Sequence, residues 1–404
     1  MMLQDKHITF IGLNFAPEDT AIGLYSTQMV DALIDAGAHV TVVTAFPYYP
    51  KWQIDPDYQD KPAFVEERYR TAVVYRFKQY VPAVPTFKKR VRHILSFTRG
   101  TYRNLNRIKK ADLVISVIPF TASAWLGSRF ARKHGIPHWI HIQDFEFDAA
   151  LQSGLSAGSF VFDQLFKQES SILNSASTVS TISHNMMARL GKKSSSRSYY
   201  LPNWIDGDQI NPRLARQHHL MRDSRFKILY SGNVGDKQDW EYFSAFAKAL
   251  PSTHYQITIV GAGSRYQQLK SDHDQENIVF HDPVPLEELS DLLCSTDAHF
   301  LFQKTDVLDT VMPSKLLGMM ASGKPSLVLG NPSSEVKTVM QQSGAGIYLE
   351  KPDVAAGVHA MEEWKKKSIV EVEPVSRART YVLENYSKTP LLEEWIQELS
   401  KLVQ

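Results

Sequence analysis

Two lysines in this chain stand where a phosphate could be met. The stretch ILYSGNVGDKQDW, residues 228 to 240, ends an apolar run at Ser231, turns on Gly232 and Gly235 around Asn233, and puts Lys237 at the start of the next helical pattern. A cation beside a glycine-rich turn holds a diphosphate as a point charge; a solvated loop lysine is the other reading. In TDVLDTVMPSKLLGMMASGKPSLVLG, residues 305 to 330, Pro313 suits the first turn of a helix, and Gly323 with Pro325 closes it. Met312, Ser314 and Lys315 then lie at a helix entrance, where unpaired N–H groups and partial positive charge favour an anion. IVGAGSRY, residues 259 to 266, adds a Gly261-x-Gly263 turn that lacks the full dinucleotide fingerprint. FIGLNFAPEDTAIGLYSTQMVDAL, residues 10 to 33, runs from a strand through the loop Asn14 to Ile22 into a helix with Gly23 at its mouth. That glycine serves either the close approach of a bound group or tight local packing.

Such sites need strands to end beside helix entrances. HITFIGL, HVTVVTA, AVVYRF, DLVISVI, HWIHIQ and TVSTI in the first half, then KILYSG, QITIVG, NIVFHD, AHFLFQ and PSLVLG in the second, are apolar on successive residues and separated by helical patterns. Strands covered on both faces of a parallel sheet read this way. At 404 residues the chain suits two α/β domains. The Lys/Ser-rich and turn-rich segment 189 to 212 marks the boundary, giving an N-terminal domain over 1–205 and a C-terminal domain over 206–388. A final helix, about 389–404, is expected to pack back on the first domain.

Composition excludes several classes. With 45 Lys and Arg against 43 Asp and Glu, the net charge of +2 provides no global field for nucleic acid. One cysteine, Cys294, leaves neither a disulfide framework nor a multi-cysteine metal site and suits the cytoplasm. The chain enters its first strand within a few residues, so no cleavable leader is expected, and no apolar run is long enough to span a bilayer. The acidic pairs at 55–57, 206–208 and 272–274 sit in turn-rich or polar stretches and read as loop residues, so no metal is expected.

The order of these stretches resembles the GT-B glycosyltransferases of family 4, and most closely the WcaI-like type of colanic acid or exopolysaccharide synthesis. PEDTAIGLYSTQM, TAFPYYPKW, HIQDFEFDAA, TISHNM, GNVGDK, VGAGS, LPNWID and PSKLLGMMASGKP carry the likeness over nearly the whole chain. The resemblance implies two Rossmann-like doubly wound domains facing across a cleft. It also implies retaining, metal-independent transfer of a sugar from a nucleotide-sugar, UDP- or GDP-linked, to a saccharide or polyprenyl-linked acceptor. No cofactor is expected. The departing diphosphate would be met by Lys237, Lys315, Ser314 and the turns at Gly232, Gly235, Gly261 and Gly263, with Gly23 approaching from the acceptor side.

Two departures from the family pattern matter. The glutamates usually placed eight positions apart fall here on Thr310 and Gly318, with Asp306 and Asp309 near enough to replace the first, and the usual arginine after the glycine is Asn233. On the acceptor side the resemblance points to the strand end HIQDFEFDAA. Gln143 and Asp144 would lie beside the anomeric carbon, Asp144 accepting the acceptor proton or steadying an oxocarbenium-like centre, unless Asp144 or Asp148 caps a helix instead. Glu146 falls with them, while His141 reads as a strand-interior residue. Tyr48, Tyr49 and Trp52 of AFPYYPKW would stack on sugar rings or pack locally. The basic amphipathic stretch 87–110 suits an anionic membrane surface, or else a core helix with a solvated basic face. The alternatives to a transferase are a saccharide- or nucleotide-binding relative without turnover, a nucleotide-sugar epimerase of the same build, and a dinucleotide-dependent oxidoreductase.

Overall fold

The structure is a computed structural model and describes residues 2–18, 21–83, 86–119, 121–148, 160–307, 314–368 and 376–404. The chain forms two compact units, Met1–Pro202 with Pro390–Gln404, and Asn203–Thr389.

Unit 1 carries strands β1 (His7–Ile11), β2 (His39–Ala45), β3 (Phe64–Tyr69), β4 (Ala72–Phe77), β5 (Leu113–Ile118), β6 (His138–Ile142), β7 (Thr178–Thr181) and β8 (Ser198–Tyr200). They pair in the order β3-β4-β2-β1-β5-β6-β7-β8, every pair parallel except β3 with β4. Every residue of β5, LVISVI, is buried, because helices shield both faces of a central parallel strand. The helices are α1 (Ala21–Asp35), α2 (Pro56–Gln59), α3 (Phe87–Leu105), α4 (Thr121–His134), α5 (Phe160–Asn174) and α6 (His184–Lys193). The strand order reverses between β1 and β5, so the loops after those two strands open at the switch point of this sheet.

Unit 2 holds β9 (Phe226–Asn233), β10 (Tyr255–Ala262), β11 (Ile278–His281), β12 (Ala298–Phe302), β13 (Ser326–Leu329) and β14 (Gly346–Leu349) in the order β11-β10-β9-β12-β13-β14, all parallel. Its helices are α7 (Trp240–Ala249), α8 (Tyr266–Ser271), α9 (Leu289–Cys294), α10 (Ser314–Ala321), α11 (Glu335–Ser343), α12 (Val354–Ser368) and α13 (Arg377–Tyr386). The reversal here lies between β9 and β12. Gly323 ends α10 with a φ of +76°, a left-handed value that glycine adopts without cost. Arg379 fixes the far end of α10 by donating to the carbonyls of Ala321, Ile210 and Gly207.

Helix α14 (Lys388–Ser400) belongs from Pro390 onward to unit 1, where the Trp395 ring meets Trp139 edge-on at 6.4 Å and Glu398 pairs with Arg197.

Candidate functional site

The unit 2 site is built on the carboxyl end of β9. Gly232 has a φ of +139°, and a Cβ placed there would lie 2.4 Å from Cε of Lys315, so only glycine leaves room for that side chain. Lys315, on the first turn of α10, crosses the switch point and donates from Nζ to the Tyr230 phenol at 2.7 Å and to the Asn233 carbonyl at 3.2 Å. Tyr230 in turn donates to the same Asn233 carbonyl, and the ammonium stands 4.7 Å from the centre of its ring.

The neighbouring glycines have separate packing duties. A Cβ on Gly261 would strike the Gly232 carbonyl at 1.9 Å, and one on Gly263 would meet the Val234 carbonyl at 2.3 Å. Gly235 donates to Oε1 of Gln238 and accepts from the Trp240 indole at 2.9 Å. Lys237 is exposed in the turn that follows, not at a helix start as its sequence suggested: α7 begins at Trp240, capped by Asp239. Ser314 opens α10 and is exposed, and Asp306 is exposed in a turn beyond β12. Asp309, Thr310 and Met312 lie outside the described residues. A Cβ at Gly318 would lie 3.2 Å from Cδ1 of Leu293, so this position faces packed side chain.

In unit 1 the loops after β1 and β2 are tied together by a residue that sequence reasoning passed over. Glu18, 7% exposed, accepts from the backbone N–H of Tyr48 and of Tyr49 at 2.8 Å each, and from the Asn14 amide at 2.8 Å. Burial pushes its carboxyl above the ordinary range, against the lowering effect of those donors. Gly23 owes its place to this residue. A Cβ at 23 would sit 2.8 Å from the Glu18 carbonyl oxygen and 2.9 Å from Glu18 Cβ, and Gly23 lies in the first turn of α1. The buried Arg76 guanidinium pins the same two loops through the carbonyls of Ala45 and Ala16.

The aromatic loop divides. Tyr48 is buried, with its hydroxyl 3.3 Å from Nε2 of the buried His93 on α3, so its ring packs inside the unit and offers no face for a sugar. Tyr49 is exposed. Trp52 lines a groove of about 620 Å³ with Lys51, Gln53, Ile54, Gln59, Val81 and Ala83. Its φ of +51° is a left-handed value that a tryptophan holds only where its neighbours impose it.

At the end of β6, Gln143 is buried and bonds Nε2 of His141 at 2.9 Å, while His141 Nδ1 meets Ser180 Oγ at 2.9 Å. Burial holds His141 at a pKa of about 3, a neutral strand-interior histidine. The three acids that follow separate by role. Asp144 is half-buried. Glu146 accepts from the Thr121 N–H at 2.8 Å and so caps α4, and burial pushes it up to about 7. Asp148 is engaged by Arg189 at 3.0 Å and Lys193 at 2.7 Å.

The acidic pairs are local turn builders. Asp55 accepts from Asp57 N–H at 2.9 Å, Asp206 accepts from Asp208 N–H at 3.1 Å and pairs with Lys388, and Asp272 accepts from Gln268 at 2.7 Å. Among the described residues, His218, His219 and Glu288 bring potential metal-ligand atoms within 4.8 Å of one another. His218 Nδ1 accepts from Leu220 N–H at 3.3 Å, which leaves Nε2 protonated toward Glu288 at 3.0 Å instead of offering a lone pair to an ion.

Two Rossmann-type sheets, each with its loops opening at a switch point, define the architecture of a GT-B glycosyltransferase. Sucrose-phosphate synthase from Thermosynechococcus elongatus is similar with a TM-score of 0.75 at 14% identity, over 98% of this chain and 99% of that one. The Anabaena protein HepE, solved with UDP and glucose, is similar with a TM-score of 0.67 at 11% identity, over 98% and 99%. Residues 20–204 match the family described as Glycosyl transferase 4-like domain. The WcaI protein of Escherichia coli strain K12, provisionally described as a colanic acid biosynthesis glycosyl transferase, is 30% identical over 97% of this chain and 99% of its own length. The chain belongs to the WcaI-like glycosyltransferases of family 4 and is a transferase enzyme.

Proposed function

We propose that this enzyme moves a sugar from a UDP- or GDP-sugar to a saccharide or polyprenyl-linked saccharide in the assembly of an exopolysaccharide, with retention at the anomeric carbon and without a required metal. The observation that carries the reading is the Lys315 ammonium held over the Gly232 turn at the switch point of the second sheet. As the bond from the anomeric carbon to the β-phosphate breaks, negative charge grows on the leaving diphosphate. Ammonium groups at Lys315 and Lys237, with N–H donors at the α10 entrance, stabilise that charge most when it is largest, which is the condition for raising the rate. HepE, bound to UDP and glucose in its structure, supports a uridine donor by analogy of fold, and the WcaI relative supports the polysaccharide setting. Retention rests on the family resemblance.

For the acceptor, the Trp52 groove offers an indole with amides at Gln53 and Gln59, a set suited to a sugar ring and its hydroxyls. Glu146 and Asp144 at the end of β6 supply carboxylates for the acceptor proton. Among the described residues no helix is long and apolar enough to cross a membrane. Helix α3 nevertheless presents Leu95, 63% exposed, among Lys88, Lys89, Arg92 and Arg99, and α4 adds Trp125, 44% exposed. Apolar side chains exposed among cations suit peripheral binding to the anionic inner face of the cytoplasmic membrane.

The test is product formation from a panel of UDP- and GDP-sugars with lipid-linked acceptors, with and without chelator, the anomeric configuration being read by NMR. Nucleotide binding without any product would overturn the catalytic reading. Inversion would overturn retention, and loss of turnover in chelator would overturn metal independence.

A further inference from the structure

Lys315 does not hold its position alone. Its side chain passes over Gly232 to a buried phenol two residues earlier on the same strand. Tyr230 is 1% exposed, its ring sits edge-on to Trp240 at 5.2 Å and tilted to Phe300 at 5.4 Å, and a phenylalanine would fill the same space. The hydroxyl is what differs. It donates to the Asn233 carbonyl and accepts from Lys315 Nζ at 2.7 Å, so one oxygen joins the β9 turn to the first turn of α10. Burying a hydroxyl is unfavourable unless both its proton and a lone pair are used, and here both are.

We propose that Tyr230 is a positioning residue, its hydroxyl holding the Lys315 ammonium over the Gly232 turn so that the charge already stands where the diphosphate leaves. This rests on the donor site of the proposed function and adds to it the group that sets the cation's location. A lysine has four rotatable bonds and sweeps a wide arc. Among the described residues an acceptor fixed in the core and one on the turn help to confine the ammonium before the donor arrives. The Asn233 side chain brings no charge to that turn, so beside the exposed Lys237 the cation at the turn itself is Lys315, and its position matters to the leaving group. Catalysis that depends on preorganised charge loses most when the charge is free to wander.

The experiment is a double-mutant cycle with Tyr230→Phe and Lys315→Met in the full chain, reading the dissociation constants of UDP and GDP by calorimetry and kcat against KM for the active donor. Tyr230→Phe is expected to weaken nucleotide binding or lower kcat by about tenfold, the usual loss for a hydrogen bond to a charged group, with KM for the acceptor unchanged. In the Lys315→Met background the same change is expected to cost less than about twofold, because no ammonium remains to position. Melting temperatures compared across the four proteins separate this from loss of fold. An equal loss in both backgrounds would show that Tyr230 acts by another route, and no loss when Tyr230→Phe is made in the otherwise wild-type chain would show that it positions nothing. Wild-type protein that binds neither nucleotide would instead overturn the donor site itself.

Discussion

Glu146→Gln tests the unit 1 site through a quantity that can be worked out beforehand. The carboxyl is partly buried at the entrance of α4, where it accepts from Thr121 N–H at 2.8 Å. Burial raises its pKa from 4.5 to about 7, outweighing the hydrogen bonds from Thr121, and the negative charges of Glu169 and Asp144 push the same way. Its folded pKa lies above its unfolded value, so the stability it contributes is fully present below pH 4.5 and is lost as pH rises through 7. The gap between 4.5 and about 7, at about 1.36 kcal/mol for each pH unit, amounts to roughly 3 kcal/mol. Glutamine keeps an acceptor oxygen for Thr121 and does not titrate. Urea unfolding of both proteins at pH 5 and pH 8, at constant ionic strength and followed by circular dichroism and fluorescence, gives two differences in stability. Part of that loss has already occurred at pH 5, so the difference should move toward the glutamine variant by about 2.5 kcal/mol between the two pH values. Titrating groups remote from Glu146 are common to both proteins and cancel, leaving Glu146 with its coupled neighbours Glu169 and Asp144. A difference that stays constant within about 0.5 kcal/mol would show that the site is not dry enough to hold a neutral acid, and with that the case for Glu146 exchanging protons near neutral pH would go.

Glu18→Ala strands the backbone N–H groups of Tyr48 and Tyr49, a loss of roughly 2–6 kcal/mol at about 1–3 for each buried donor; a urea midpoint corresponding to less than 1 kcal/mol would mean that the loop is held by other contacts. Lys237→Met, at an exposed turn, should leave the melting temperature unchanged and lower kcat about tenfold or more; wild-type turnover would remove Lys237 from the site. His138, His141 and His299 are buried and held near a pKa of 3, below the unfolded value of 6.5, so their contribution is present above pH 6.5 and is lost as pH falls toward 3. His141→Gln should remove about 2 kcal/mol of the stability lost between pH 7 and pH 5, as measured by urea titration at the two pH values; an unchanged acid loss would mean that His141 already protonates in the fold. The pair Leu95→Glu and Trp125→Ala should reduce sedimentation with phosphatidylserine vesicles at least tenfold, and undiminished binding would assign α3 and α4 a plain solvated face.

The central strands were legible because a strand buried on both faces leaves an apolar run with little alternation, and LVISVI and AHFLF, each broken by a single polar residue, are such runs. The edges were not. FVEERY of β3 alternates partly buried with exposed residues and pairs antiparallel with β4, while SYY of β8 and GIYL of β14 are too short and too exposed to stand out from loop. Turn and cap signals were legible where they are local, as with Gly323 closing α10. Gly23 was legible as a constrained glycine, but its constraint is the backbone of Glu18, five residues back, which spacing does not reveal.

Two α/β units, the family, and the stretches that end a strand beside a helix could be read along the chain, because these are properties of neighbouring residues and of their order. Tertiary structure alone decided which side chains meet. Lys315 reaches Tyr230 across 85 positions and Glu18 reaches Tyr48 across 30, and the last helix returns to lay Trp395 against Trp139. The period of a helix or strand fixes which face a residue takes, and says nothing of what a crossover will bring to that face from elsewhere in the chain.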